Sequence, residues 1–314
     1  MVAGIAGQFS GKVTECYNAA PVAGMNRGVA GIVSFGSDVV IDRCFNLDSI
    51  IATGTPATQG MAGGILGYGN PLTITNCYNM GAVKAVNKAA GIVPFYYGGY
   101  VIKNCYNAGP VSVTETTNPV LANIMAYKKD ADSEMENCYF DTTVCAATEY
   151  DSIATATSTA GLTNAKLGDA FANKTALYPT LTDFADNALA NYFAAVVVFD
   201  DKDDINHVSL PFRYGLADST EWTASSNIVL NDGVATSNAI GIGWITKKYG
   251  DLSHTWIIDL TSVSGVDGNI ADKPVVSREY YDMNGRRVAT PANGVYVEVT
   301  KYADGTSTGK KVVK

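Results

Sequence analysis

One short unit recurs through the first half of the chain: Cys16-Tyr17-Asn18, Cys44-Phe45-Asn46, Cys77-Tyr78-Asn79, Cys105-Tyr106-Asn107 and Cys138-Tyr139-Phe140. The cysteines are spaced by 28, 33, 28 and 33 residues. No other feature constrains the fold as tightly, because a period of about 30 residues is that of stacked repeat architectures. Each copy opens with a small-residue apolar piece, as in Ala30-Gly31-Ile32-Val33, Gly63-Gly64-Ile65-Leu66 and Ala90-Gly91-Ile92-Val93, and closes on a short piece ending in Val or Ile.

Three strand-like pieces per copy emerge: the Gly-Ile segment, the stretch before each cysteine (Leu72-Thr73-Ile74-Thr75-Asn76), and the closing Val or Ile piece. Turn residues separate them, among them Gly36-Ser37-Asp38, Gly69-Asn70-Pro71 and Gly98-Gly99. Glycine and β-branched residues at these phases argue against a helical repeat. Only eleven Asp, Glu, Lys or Arg occur in residues 1–125, too few to give amphipathic helices a solvated face. The reading is all-β: a right-handed parallel β-helix over residues 1–145. Ile5, Ile32, Ile65, Ile92 and Ile124 should share one interior column. Asn18, Asn46, Asn79 and Asn107 should turn a corner, their amides bonded up and down the stack. Tyr17, Phe45, Tyr78, Tyr106 and Tyr139 form a second column. That column is either a sugar-stacking stripe or corner packing, and its uniform use in every copy favours packing.

Five of the six cysteines share one phase of the repeat; Cys145 is the sixth. Parallel side-chain directions disfavour bridging between rungs, so a buried column of free thiols is expected, with a local Cys138–Cys145 bridge as the alternative. No CxxC or Cys/His cluster suggests a metal, and no metal or cofactor is expected.

The fifth copy is degraded: Asn123 replaces the glycine, Phe140 replaces the asparagine, and Lys128-Lys129-Asp130-Ala131-Asp132 interrupts it. Solenoids end this way. Residues 146–190 read as a capping segment with a short helix over 162–171. Residues 191–263 offer about seven short strands and an Asn231-Asp232-Gly233 hairpin turn, the pattern of an immunoglobulin-like sandwich with Trp222 or Trp256 as its aromatic plug. Val263–Pro274 is a linker, and residues 276–314 form a small β-unit expected to hinge there and lean on the sandwich. Residue 1 falls inside a repeat, which suggests a fragment whose signal peptide lay upstream.

An enzyme would need residues that are hard to find. His207 and His254 are the only histidines, and HExxH, GxSxG and GxxxxGK motifs are absent. Asp200, Asp201, Asp203 and Asp204 fit a solvated turn better than a calcium loop. Asp38, Asp42 and Asp48 of one copy have no equivalents in the next two, so a polysaccharide-cleaving carboxylate pair is not expected. A net charge of −8 argues against a nucleic-acid partner, and the longest apolar run is too short to span a membrane.

The G-(I/L)-x-G segment followed by Cys-Tyr-Asn and a Gly-x-Val ending resembles the GLUG repeat of bacterial surface adhesins and of the non-catalytic parts of immunoglobulin A-cleaving metallopeptidases. Residues 2–145 carry the likeness, most fully at Gly63–Gly67 and Thr75–Val83. Tyr281-Asp282-Met283-Asn284-Gly285-Arg286 with Asn293-Gly294-Val295-Tyr296 resembles the C-terminal sorting domain of the type IX secretion system. The middle unit is loosely similar to bacterial immunoglobulin-like domains. These resemblances imply a Gram-negative cell-surface or secreted protein, and the missing catalytic motifs add the expectation that it is not an enzyme. It would bind a surface glycan or host protein, and its tail would contact the secretion machinery. The alternatives are a carbohydrate-binding or carbohydrate-cleaving β-helix, or the accessory region of a larger surface peptidase.

Overall fold

The repeat becomes a stack because each copy's strands pair in parallel with their twins in the next copy. The computed structural model describes residues 1–25, 27–54, 60–96, 98–115, 118–125, 133–199, 212–260, 275–282, 287–291, 295–302 and 307–313. The described chain is mostly β. It divides into two compact units: Met1–Asn173 with Tyr178–Ala185, and Lys174–Leu177 with Asp186–Lys314.

In the first unit, five coils build four parallel sheets, one more strand per coil than the sequence suggests. In the third coil these strands are Met61–Gly63, Leu66–Thr75, Tyr78–Asn79 and Val83–Ala85. Register is kept between coils: Ile74 lies opposite Ile41 and Ile102, and Asn79 opposite Asn46 and Asn107. Gly64 and Ile65 form a bend between the first two strands rather than a strand of their own. A Cβ on Gly64 would lie 2.5 Å from Cγ of Asn79 in the same coil. That Cβ would also collide with the Gly91 carbonyl oxygen of the next coil, so the glycine is required both by the close stacking of backbone and by the asparagine. In the fifth coil both change together: Asn123 takes the glycine position, and Phe140 lies in register with Asn107.

Ile32, Ile65, Ile92 and Ile124 are fully buried in one cluster with Cys44, Cys77, Cys105 and Cys138. Ile5 departs from expectation. It is 46% exposed, because the outermost coil is stacked on one side only. Asparagine's role at the corner also differs from the reading. The left-handed backbone falls three residues earlier, at Arg43, Asn76, Asn104 and Asn137 (φ 52 to 54°). Asparagine tolerates that conformation because its short polar side chain bonds locally.

Residues 146–185 do more than cap an end. Thr155–Thr157 extends the third sheet. The helix α1 covers Thr159–Thr163, earlier than expected, because Ser158 caps it by accepting from the Gly161 amide. Asp151 closes the stack by accepting from the Asn123 backbone and side-chain nitrogens at 2.7 and 2.8 Å.

The second unit contains helix α2, Ala188–Ala194, and two antiparallel sheets of four and three strands around Val197, Phe212, Tyr214, Ile228, Ala235, Ile245, Ile258 and Leu260. The fully buried aromatic is Phe212. Trp222 and Trp256 are instead partly buried, stacked on each other at 5.7 Å beside that core. The tail is a four-stranded antiparallel sheet in the same unit, and a Cβ on Gly309 would collide with Ile242 of the three-stranded sheet. The 263–274 linker lies wholly outside the described residues, as do Met283-Asn284-Gly285-Arg286 and Asn293-Gly294 of the tail motif.

Candidate functional site

The aromatic column follows from register. Tyr17, Phe45, Tyr78 and Tyr106 stack with ring centroids 5.0, 4.7 and 5.0 Å apart and planes within 5°. Phe45, Tyr78 and Tyr106 are fully buried. Phe184 packs edge-on to Tyr17 and Phe45, Phe171 lies against Tyr78 and Tyr106, and Tyr178 lies against Tyr106. The Arg43–Asp183 pair at 3.5 Å and the bond from the Tyr106 hydroxyl to the Pro179 carbonyl at 2.8 Å hold this covering segment. The column is therefore no sugar-stacking stripe: its ring faces are used by one another and its edges are covered. Only Tyr17, 38% exposed, and the half-buried Tyr139 reach solvent.

Asparagine amides run beside it. Asn18 donates to Asn46, Asn46 to Asn79 and Asn79 to Asn107, at 2.8, 2.7 and 2.8 Å. Each also donates to the carbonyl two residues on, as Asn79 does to Gly81 at 2.8 Å. Asn107 passes its free donor to Sγ of Cys145 at 3.3 Å. The sixth cysteine thus takes the acceptor place that Phe140 leaves empty. All six thiols are free, so Cys138 and Cys145 are unbridged. Burial, then nearby Asp141 and Asp151, push the Cys145 thiol up to about 12. Cys145 is therefore a packing group and not a nucleophile.

The carboxylates do not converge. Asp42 is held by Thr75 and Asn76 at 2.8 and 2.9 Å and lies 3.7 Å from Lys12. Asp48 accepts from the Ser49 amide. Asp38 lines a shallow groove of about 250 Å³ with Val40, Thr73 and Val101 of successive coils. Asp141, fully buried, accepts from Thr143, Thr159 and Tyr178. Among the described residues no group of three or more His, Cys, Asp or Glu could hold a metal. Asp200, Asp201, Asp203, Asp204 and His207 lie outside the described residues. His254 stacks edge-on against Trp256 at 4.3 Å.

Two groups in the second unit escaped sequence reasoning. Lys247 is buried, its Nζ donating to the Tyr192 and Ala195 carbonyls at 2.6 and 2.7 Å, at the C-terminal end of α2. It sits over the Tyr192 ring at 4.5 Å, and burial pulls its amine down to about 7. The second is the outer face of the three-stranded sheet. Strand register places Ser225, Trp244 and Ile257 in one row, Thr223, Thr246 and Thr255 in the next, and Glu221, Lys248 and Ser253 in a third. Trp244 is 39% exposed. Strict alternation over Gly243–Tyr249 carries both signals: odd residues face inward, so an inward lysine and an outward tryptophan could have been read from it.

No family model matches the sequence, and no curated protein matches it. Among solved structures, one described as "a putative immunoglobulin A1 protease from Bacteroides ovatus" is similar at 20% identity and a TM-score of 0.47, over 58% of this chain. The likeness spans 63% of that structure's length, less than two thirds. No described helix is long and apolar enough to cross a membrane.

Proposed function

We propose that this chain is a non-enzymatic, surface-exposed or secreted scaffold that binds a glycan or protein. In this reading the first unit is a right-handed β-helix, the paired sheets of the second are an immunoglobulin-like sandwich, and the tail addresses the protein to the type IX machinery of a Gram-negative cell. The observation that carries the proposal is where the repeat spends its chemistry. The asparagines that define each copy are bonded to their own twins, the cysteines are packed in the coil core, and the aromatic rings stack on their twins beneath Phe171, Tyr178 and Phe184. That is the economy of a spacer, and it leaves recognition to outward residues that vary from coil to coil.

The test is twofold. Purified protein should leave immunoglobulin A, casein and neutral and acidic polysaccharides uncut, while cells expressing it should gain binding to host-cell glycans or matrix proteins. Turnover of any of these substrates would overturn the non-enzymatic reading. Undiminished surface display after removal of residues 276–314 would overturn the role given to the tail.

A further inference from the structure

We infer that the outer face of the three-stranded sheet, centred on Trp244, is a binding platform for a neutral saccharide. The inference rests on the surface-binding reading above and names its ligand class and site. Within Ile242–Tyr249 the side chains alternate, so Ile245 is fully buried while Trp244 projects outward. An indole exposed on the outer face of a sheet offers a wide apolar surface with one polar N–H, suited to a ligand that is apolar on one face and polar at its rim.

The neighbours refine that ligand. Ser225 donates and accepts with the Trp244 backbone, its Oγ receiving the Trp244 amide at 2.9 Å, which fixes the strand beneath the ring. The next row presents three threonines across three strands, with the hydroxyls of Thr246 and Thr255 bonded at 2.7 Å. Threonine hydroxyls both donate and accept, as sugar hydroxyls do. The third row sets Glu221 opposite Lys248, two opposite charges in register whose fields cancel at a distance. The fourth row ends the face, since Ile242 packs against Gly309 of the tail sheet. The platform is therefore aromatic, then hydroxylic, then charge-balanced, is bordered by Asp259 opposite Ile242, and carries no net positive charge to attract a polyanion.

Its size argues against a protein partner. Three strands about 4.8 Å apart and three rows about 6.8 Å apart make a surface of roughly 10 by 14 Å. A stable protein interface needs about 800 Å² on each side, several times more. One or two sugar rings fit the smaller area.

The test uses the full chain and neutral hexasaccharides of glucose (α- and β-linked), mannose, galactose and N-acetylglucosamine, followed by titration calorimetry. At least one should bind with a dissociation constant of about 1 mM or lower. W244A should weaken it at least tenfold and T255V at least threefold, with the thermal transition unmoved in both. W244F, which keeps an aromatic face, should recover part of the loss. Binding that survives W244A would remove this site while leaving the surface-binding reading standing. No binding of any hexasaccharide at about 5 mM, or binding of anionic saccharides alone, would overturn the inference, and protein ligands would then carry the broader reading.

Discussion

Replacing Asn79 by alanine should unfold the coil stack selectively, because that side chain is the middle of a buried polar ladder. Asn79 is fully buried and makes three bonds through its amide: from Asn46 at 2.7 Å, to Asn107 at 2.8 Å and to the Gly81 carbonyl at 2.8 Å. Each is worth about 1 kcal/mol net, and each buried partner left unsatisfied costs about 1–3 kcal/mol. With partial rescue of the neighbours by their remaining bonds, the loss is roughly 3–6 kcal/mol, a large part of an ordinary domain's 5–15 kcal/mol. Asn18→Ala, at the outermost coil, removes two such bonds and should cost only about 1–2 kcal/mol. The chain supplies its own reporters: all six cysteines lie in the first unit and all three tryptophans in the second. In guanidinium titrations, maleimide labelling should report an earlier transition for Asn79→Ala, while tryptophan fluorescence keeps its midpoint. A labelling shift below about 1 kcal/mol, or equal shifts for the two variants, would refute the view that the ladder stabilises the stack through buried bonding.

Lys247 makes the second unit pH-sensitive. Its amine is held at about 7 when folded against 10.5 when free, so the unfolded chain binds the extra proton between those values. Stability should therefore rise with pH from about 7 to about 10.5, and Lys247→Met should flatten that slope in tryptophan-monitored denaturation. In native protein, maleimide should modify the half-buried Cys16 first, leaving Cys44, Cys77, Cys105, Cys138 and Cys145 slow; rapid labelling of all six would contradict the packing described. Phe171→Ala should cost about 3–5 kcal/mol in the coil unit by uncovering the aromatic column, measured by the cysteine-reported transition. Ile65→Asp should be at least as damaging, because it buries an unpaired charge in the main cluster.

The sequence by itself determined the period, the number of coils and the columns. Identical residues at one phase can meet only if copies stack in register, and Cys77, Tyr78 and Asn79 lie against their twins as that logic requires. The degraded fifth copy was equally legible as the last repeat, although Thr155–Thr157 adds one more parallel strand beyond it. What the period could not supply was contact between different phases of the coil. The need for Gly64 arises partly from Asn79 fifteen residues later, beside the Gly91 carbonyl of the next coil, and the role of Cys145 from the empty place beside Phe140. Nor could it show which columns stay exposed. Residues 165–185 carry no repeat signal, yet Phe171, Tyr178 and Phe184 cover the aromatic column and turn a plausible sugar stripe into core. In the second unit, alternation marks Trp244 and Lys247 as facing opposite ways. Only the packing of α2 and of the tail decides that one is sealed beneath three carbonyls and the other left open to solvent. Register is a local property repeated along the chain, whereas coverage depends on segments distant in sequence, and only the folded chain brings those together.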